Sequence, residues 1–182
     1  VSEVGTAIIG RKSPFGYFSQ SCIRGTWKNP CLKCWKCFRK ELLSVALWGD
    51  NEVDILEMLH SSEVQIRLSA FPISHENVVQ YSLQRIELED HPYLKPIADK
   101  LDMNADLDFL NYWYSQSIDF VPDDIRNFTR DAVIGYLGVM SPSDESFLRS
   151  WDMNPHLNSK KAEKAQRKLT SYWQDISTRF GT

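Results

Sequence analysis

The sequence lacks several features that mark well-defined classes of protein. No apolar run approaches the roughly 18 residues that a transmembrane helix requires, so we expect no membrane-spanning segment. The formal net charge is only −3, which is too small for a bulk attraction to nucleic acid or to a membrane surface. No basic stretch followed by an apolar run opens the chain, so we expect no secretory signal.

The sequence also lacks the glycines that a phosphate-binding loop requires. The chain has no Gly-Gly pair, and none of Gly5, Gly10, Gly16 or Gly25 sits between a predicted strand and a predicted helix. Phosphate-binding loops place glycines there because the backbone must approach the phosphates closely. We therefore expect that this chain alone does not hydrolyse ATP.

The composition excludes general disorder. Of the 182 residues, 42% are hydrophobic and 12% are aromatic, including six Trp, which is enough ring surface to build a core. Because the first residue is Val rather than Met, we expect the chain to be a fragment, a processed product or a trimmed form of a longer protein.

All four cysteines lie in one short stretch. They are Cys22, Cys31, Cys34 and Cys37, with the spacing C-x8-C-x2-C-x2-C. A C-x2-C step directs two sulfurs at one point, and four thiolates close a tetrahedral Zn²⁺ site with no open position. We therefore predict a structural zinc site rather than a catalytic one. Unligated or disulfide-bonded cysteines and an iron–sulfur cluster are the alternatives.

Cations surround these cysteines. Residues 22–40 contain six cations and no acid: Arg24, Lys28, Lys33, Lys36, Arg39 and Lys40. Part of this charge offsets the negative charge of the thiolates and lowers the thiol pKa values. The rest would contact a phosphate or carboxylate ligand, for which Arg24, Lys28 and Arg39 are the candidates. Trp27 and Trp35 either stack on a nucleic-acid base or pack as core residues.

The residues around the cysteines also resemble a known motif. Ser21-Cys22 followed by Pro30-Cys31-Leu32-Lys33-Cys34-Trp35-Lys36-Cys37-Phe38-Arg39 is similar to the C-terminal zinc motif of 7-cyano-7-deazaguanine synthases (QueC-like proteins), which belong to the PP-loop ATP pyrophosphatase superfamily. The upstream segment Ser2-Glu3-Val4-Gly5 resembles the part of those proteins that leads into the motif, so the resemblance covers about residues 1–45.

This resemblance implies both a function and a missing part. Members of that family adenylate a deazapurine carboxylate with ATP, and ammonia then displaces AMP to give an amide and finally a nitrile. The four cysteines would bind the zinc that orders the substrate-side segment. The family's S-G-G-x-D-S phosphate loop is absent here. The resemblance therefore implies that a missing N-terminal half or a separate subunit supplies the ATP site, and that ATP is a cofactor only with that part.

The rest of the sequence predicts helices. We expect a mostly α fold, with a four-cysteine zinc knuckle and its lead-in at residues 1–45, a multi-helix domain at residues 46–182, and at most a short strand pair. Alternation at residues 63–71 fits a strand or a helix. The predicted helices include Trp35–Trp48, Asn51–His60, Tyr93–Leu101, Leu107–Ile118, Asp123–Val139, Pro142–Trp151 and Ser159–Phe180.

Two functions are consistent with these patterns. The first is the zinc-bearing C-terminal region of a QueC-like ATP-dependent ligase or modification enzyme, with its catalytic ATP half outside this chain. The alternative is a non-catalytic zinc-binding module that recruits a protein or a nucleic acid. A homo-oligomer is one possible assembly of the chain. Thiols that are held reduced on zinc favour a cytoplasmic location.

Overall fold

The computed structural model describes residues 1–50, 53–70, 72–152, 171–174 and 178. Between residues 1 and 152 the described residues form eight α-helices joined by loops and short 3-10 turns, with two isolated β-bridges and no strand. The prediction of a mostly helical fold is therefore confirmed. No helix within the described ranges is long and apolar enough to cross a membrane.

The chain divides into two compact units. The first comprises Val1–Ser19 and Asp106–Asp152, and the second comprises Gln20–Ala105 with the residues described after position 170. This division differs from the predicted boundary at residue 45. The cysteine-rich segment shares its hydrophobic core with the helices that follow it, so no boundary falls between them.

The first unit contains three α-helices: α1 (Glu3–Lys12), α7 (Asp123–Leu137) and α8 (Pro142–Ser150). The sequence analysis placed a lead-in segment where α1 lies. Ser2 starts this helix, because its hydroxyl accepts a hydrogen bond from the Gly5 N–H at 2.8 Å. Helix α1 packs against α7, and a Cβ on Gly5 would lie only 2.9 Å from a methyl of Leu137.

The predicted helix at Leu107–Ile118 is wrong. The structure has two 3-10 turns here, Asp108–Asn111 and Ser115–Phe120. Between them Trp113 is held in a β-bridge, because its N–H donates to the Gly138 carbonyl at 3.2 Å and its carbonyl accepts from the Met140 N–H at 2.9 Å. These pairings take the backbone groups that a continuous helix would need.

The second unit is built on α2 (Trp35–Trp48), which has the predicted bounds. Cys34 caps its start, and Gly49 ends it in a left-handed conformation at φ 69°. The other helices are α3 (Ile55–Leu59), α4 (Ser62–Ser69), α5 (Glu76–Leu83) and α6 (Lys95–Ala98). Helix α2 packs most extensively against α5. Three of the four cysteines are buried in the core that these helices share.

Several local predictions are revised in this unit. The alternating segment at residues 63–71 contains helix α4, so the helical alternative is confirmed. Helix α3 begins at Ile55 rather than at residue 51, because the carboxylate of Asp54 accepts the Leu56 N–H at 2.8 Å. The predicted helix at Tyr93–Leu101 is instead a 3-10 turn, Pro92–Leu94, followed by α6, because Pro96 has no N–H with which to continue one helix through both. Most of the predicted helix Ser159–Phe180 lies outside the described residues.

Candidate metal centre

The four cysteine sulfurs converge on one point. All four Sγ atoms lie within 4.8 Å of one another. The Sγ atoms of Cys34 and Cys37 are 3.5 Å apart, and those of Cys31 and Cys37 are 3.9 Å apart. Four sulfurs about 2.3 Å from a central zinc ion would lie about 3.8 Å apart at the corners of a tetrahedron. The four residues, which we call the cysteine cluster, therefore have the spacing of a single-ion site.

The backbone around the cluster is arranged to support negative sulfur atoms. The Cys31 N–H donates to the Sγ of Cys22, and the Cys37 N–H donates to the Sγ of Cys34, each at 3.4 Å. The first of these bonds lowers the pKa of Cys22 to about 6, whereas burial raises the pKa of Cys37. A metal ion would overcome this difference, because a coordinating thiol is deprotonated outright.

A tight hairpin carries the eight-residue gap between the first two cysteines. Thr26 and Asn29 exchange backbone hydrogen bonds of 3.1 and 2.9 Å. The amide of Gln20 holds the hairpin, because it donates to the carbonyls of Cys22 and Thr26 and accepts the Lys28 N–H at 2.6 Å. The hairpin is therefore a fixed structure that returns the chain to the cluster.

The hairpin also depends on a glycine. A Cβ on Gly25 would lie 2.2 Å from the carbonyl oxygen of Asn29 and 2.9 Å from the Cα of Pro30. Both contacts are with backbone, so no side-chain movement could relieve them. Only a glycine lets the two arms of the hairpin come this close.

Helix α4 ties the cluster to the rest of the second unit. Glu63 on α4 forms an ion pair with Arg24, and its other carboxylate oxygen accepts the Trp35 N–H at 3.2 Å. The hydroxyl of Ser61 donates to the Lys33 carbonyl at 2.6 Å. The Arg24 guanidinium holds the pKa of Glu63 below its usual value, and burial opposes this effect. The carboxylate of Glu63 thus connects the hairpin, through Arg24, to the start of α2, through Trp35.

Aromatic packing covers the first turn of α2. The rings of Trp35 and Phe38 stack with centroids 5.5 Å apart, and the guanidinium of Arg39 lies 5.8 Å from the Trp35 ring. All three residues are buried. Trp35 is therefore a core residue, which is one of the two roles that the sequence left open.

The structure places the three predicted ligand-contact residues in different environments. Arg24 pairs with Glu63, Arg39 is buried over Trp35, and Lys28 is exposed at the tip of the hairpin. Sequence reasoning missed Gln20 and Glu63. The turn-forming residues at positions 25–30 indicated a tight loop, and a nearby hydrogen-bonding side chain such as Gln20 could have been expected to hold it. No residue near Glu63 in the sequence indicated its role, because its partners Trp35 and Arg24 lie 28 and 39 positions earlier in the chain.

The fold and the site define a class: a mostly helical protein with a four-cysteine cluster, three of whose members are buried, with the spacing of a single-ion site. The chain belongs to the family described as "Family of unknown function (DUF6395)", which matches residues 1–152. No curated protein and no solved structure matches the chain.

Proposed function

We propose that this chain binds one Zn²⁺ ion through Cys22, Cys31, Cys34 and Cys37, and that the ion is structural. The observation that carries the proposal is the convergence of the four sulfurs within 4.8 Å, with separations on both sides of the tetrahedral value. An iron–sulfur cluster fits less well, because its cysteines are divided between two or more iron atoms, whereas these four sulfurs have the spacing of ligands to one ion.

The role of the ion in this proposal is to cross-link the hairpin to the helical core. Four thiolates leave no position for water or substrate, so the ion does not act as a Lewis acid. Three of the ligands are buried, and their neighbours Trp35 and Phe38 lie in the core of the second unit. Metal binding and folding of this unit are then a single process.

Elemental analysis of the purified chain tests this proposal. We expect one zinc per chain, and we expect Cys34→Ser and Cys37→Ser to lose it. Ser21→Ala is the matched control, because Ser21 adjoins a ligand without being one, and it should keep its zinc. A chain that folds without metal, or that holds iron instead, would contradict the proposal.

We also propose that the zinc region serves an ATP-dependent ligase similar to the 7-cyano-7-deazaguanine synthases. The support is the motif with Pro30 before the second cysteine and Arg39 after the last, together with the convergence of its sulfurs. In this proposal the ATP site lies outside the 182 residues. The test is ATP–pyrophosphate exchange by the full gene product with a carboxylated deazapurine. A product without an S-G-G-x-D-S segment and without exchange activity, alone or with its co-purifying subunits, would exclude this role.

A further inference from the structure

The tip of the hairpin presents an aromatic ring and a cation to solvent. Trp27 is 53% exposed, although a tryptophan usually buries most of its surface. Lys28 next to it is exposed and has φ 60°, the left-handed conformation that asparagine or glycine adopts at lower cost. The two-residue turn between Thr26 and Asn29 accounts for the positive φ of Lys28, because tight hairpin turns contain residues in this conformation. The exposed ring of Trp27 is the feature that folding alone does not favour.

The ring and the cation are held in place rather than on a loose loop. The Lys28 N–H is bound by the Gln20 amide, and the Thr26–Asn29 bridge closes the hairpin directly behind the tip. The absent side chain of Gly25 lets the hairpin lie flat against the chain that leads to Cys31. A partner that stacks on Trp27 would therefore meet a pre-arranged surface at a low entropic cost.

Exposed cations accompany the ring. Of the six cations in residues 22–40, Arg24 pairs with Glu63 and Arg39 is buried over Trp35, whereas Lys28, Lys33 and Lys36 are exposed. Lys33 and Lys36 are exposed at the start of α2, whose first turn has no acid. Cations are disfavoured at a helix N-terminus, so this placement favours an anionic partner.

The basic charge is local to the cysteine-rich segment. Residues 22–40 carry six cations and no acid, whereas Gln20–Ala105 as a whole has two more acidic than basic residues. The excess of cations is therefore confined to the hairpin and the first turns of α2. We define the knuckle surface as the exposed residues Trp27, Lys28, Lys33 and Lys36.

We propose that the knuckle surface binds single-stranded nucleic acid, with a base stacked on Trp27 and backbone phosphates near Lys28, Lys33 and Lys36. Every base has a flat face, so one exposed ring beside cations binds unstacked bases with little sequence preference. In a duplex the bases are stacked on one another and offer no face to Trp27. This inference rests on the proposed function, because zinc holds the hairpin against α2.

Fluorescence anisotropy of labelled oligothymidylate, titrated with the zinc-loaded chain at about 50 to 200 mM salt, tests the inference. Trp27→Ala should weaken binding about tenfold or more, as loss of one stacked base does in other single-strand binders. Trp27→Phe keeps a ring and should retain most of the affinity. Trp151→Ala is the matched control, because Trp151 is similarly exposed in the first unit, and it should change nothing.

The salt dependence of binding tests the contribution of the three lysines. The triple variant Lys28→Gln, Lys33→Gln, Lys36→Gln should lower the slope of log affinity against log salt by about 2, since each phosphate contact contributes about 0.7 on single strands. Lys95→Gln, at an exposed lysine of α6, controls for a general change in charge and should have a much smaller effect.

Zinc content measured on the same samples separates this inference from the proposed function. Zinc-loaded chain that does not bind oligothymidylate overturns the inference and leaves the zinc proposal standing, whereas chain without zinc overturns the zinc proposal. Equal affinity for duplex, equal competition by polyglutamate, or unchanged binding by a Trp27→Ala chain that retains its zinc would each overturn the inference.

Discussion

The two units of this chain are stabilised by different means. In the second unit the helices share one continuous buried cluster that includes three cysteines, and large side chains of this cluster, such as Phe38, Leu42 and Leu59, are almost completely inaccessible to solvent. In the first unit the 15-residue helix α7 buries only Leu137, and Phe120 and Phe128 are 90% and 79% exposed. The cysteine cluster therefore belongs to the unit that already has the larger core.

This difference shows what the metal contributes. A structural metal is often the substitute for a core that a small domain lacks. Here the helices bury a core, and the hairpin at residues 22–31, which has no helix of its own, is joined to α4 through the Arg24–Glu63 ion pair at the surface. The ion would attach this loop to α2 as well, while the first unit has no cysteine. The following experiments test that contrast.

The largest expected effect is the loss of a metal ligand. Cys34→Ser should destabilise the second unit by at least about 5 kcal/mol, because a structural zinc contributes about 10–16 kcal/mol in small metal-dependent folds. Serine still caps α2, so the variant removes the ligand and leaves a helix cap. Hydrogen exchange measured by mass spectrometry should show fast exchange in α2 and α5, and unchanged exchange in α1 and α7.

A uniform rise in exchange across both units would contradict this contrast. Protection lost only before residue 45 would contradict it in another way, because it would restore the boundary that the sequence predicted. Metal removal by a chelator from the unmodified chain should reproduce the pattern of the variant.

The next largest effect on stability is expected when a buried ring of the second unit is removed, and an exposed ring of the first unit serves as the comparison. Phe38→Ala should cost about 3–5 kcal/mol, because Phe38 is 0% exposed and stacks on Trp35. Phe128→Ala should change stability by less than about 0.5 kcal/mol, because that ring is mostly in water. Urea denaturation of both variants provides the measurement. A large cost for Phe128→Ala would mean that another molecule covers α7 in solution.

Local signals made some of this fold predictable. Helix α2 is predicted to the residue, because its apolar stripe, its Gly49 stop and its packing all agree. The convergence of the cysteines is predicted as well, because C-x2-C steps constrain the sulfurs locally. In both cases the decisive residues lie within about 15 positions of each other in the chain.

The remaining features were set by distant parts of the chain. Residues 107–118 have the apolar content of a helix, but Trp113 bridges to Val139, 26 positions later. Glu63 braces the cluster through Arg24 and Trp35, and the two units are interleaved along the chain. A single sequence gives no direct signal for such pairings, because each partner alone reads as an ordinary surface or core residue.

A smaller effect is expected from a buried lysine of the second unit. Lys100 is 6% exposed and donates to the carbonyls of Leu68 and Ala70 at the end of α4, at 3.0 and 2.7 Å. Burial lowers its pKa from 10.5 to about 8. Between these values the unfolded chain binds more protons than the folded one, so stability should rise with pH, by about 1–2 kcal/mol.

Urea denaturation of the unmodified chain and of Lys100→Met at pH 8 and pH 10 measures this effect. The rise should be present only in the unmodified chain. Burial also raises the pKa of Tyr93, which gives the opposite slope at high pH, but that contribution is common to both proteins and cancels. Parallel pH curves would contradict the lowered pKa of Lys100.

The smallest effect tests the exposure of the first unit. Gly135 lies inside α7, and a Cβ there would meet nothing within 4 Å, so Gly135→Ala should stabilise the first unit by about 0.5–1 kcal/mol through the lower entropy of the unfolded chain. Gly49→Ala is the control in the second unit, where φ 69° makes alanine unfavourable and destabilisation is expected. Hydrogen exchange of α7 and α2 follows each unit separately. Slower exchange in α7 for Gly135→Ala and faster exchange in α2 for Gly49→Ala would support the contrast, whereas destabilisation of α7 by Gly135→Ala would place another surface against that helix.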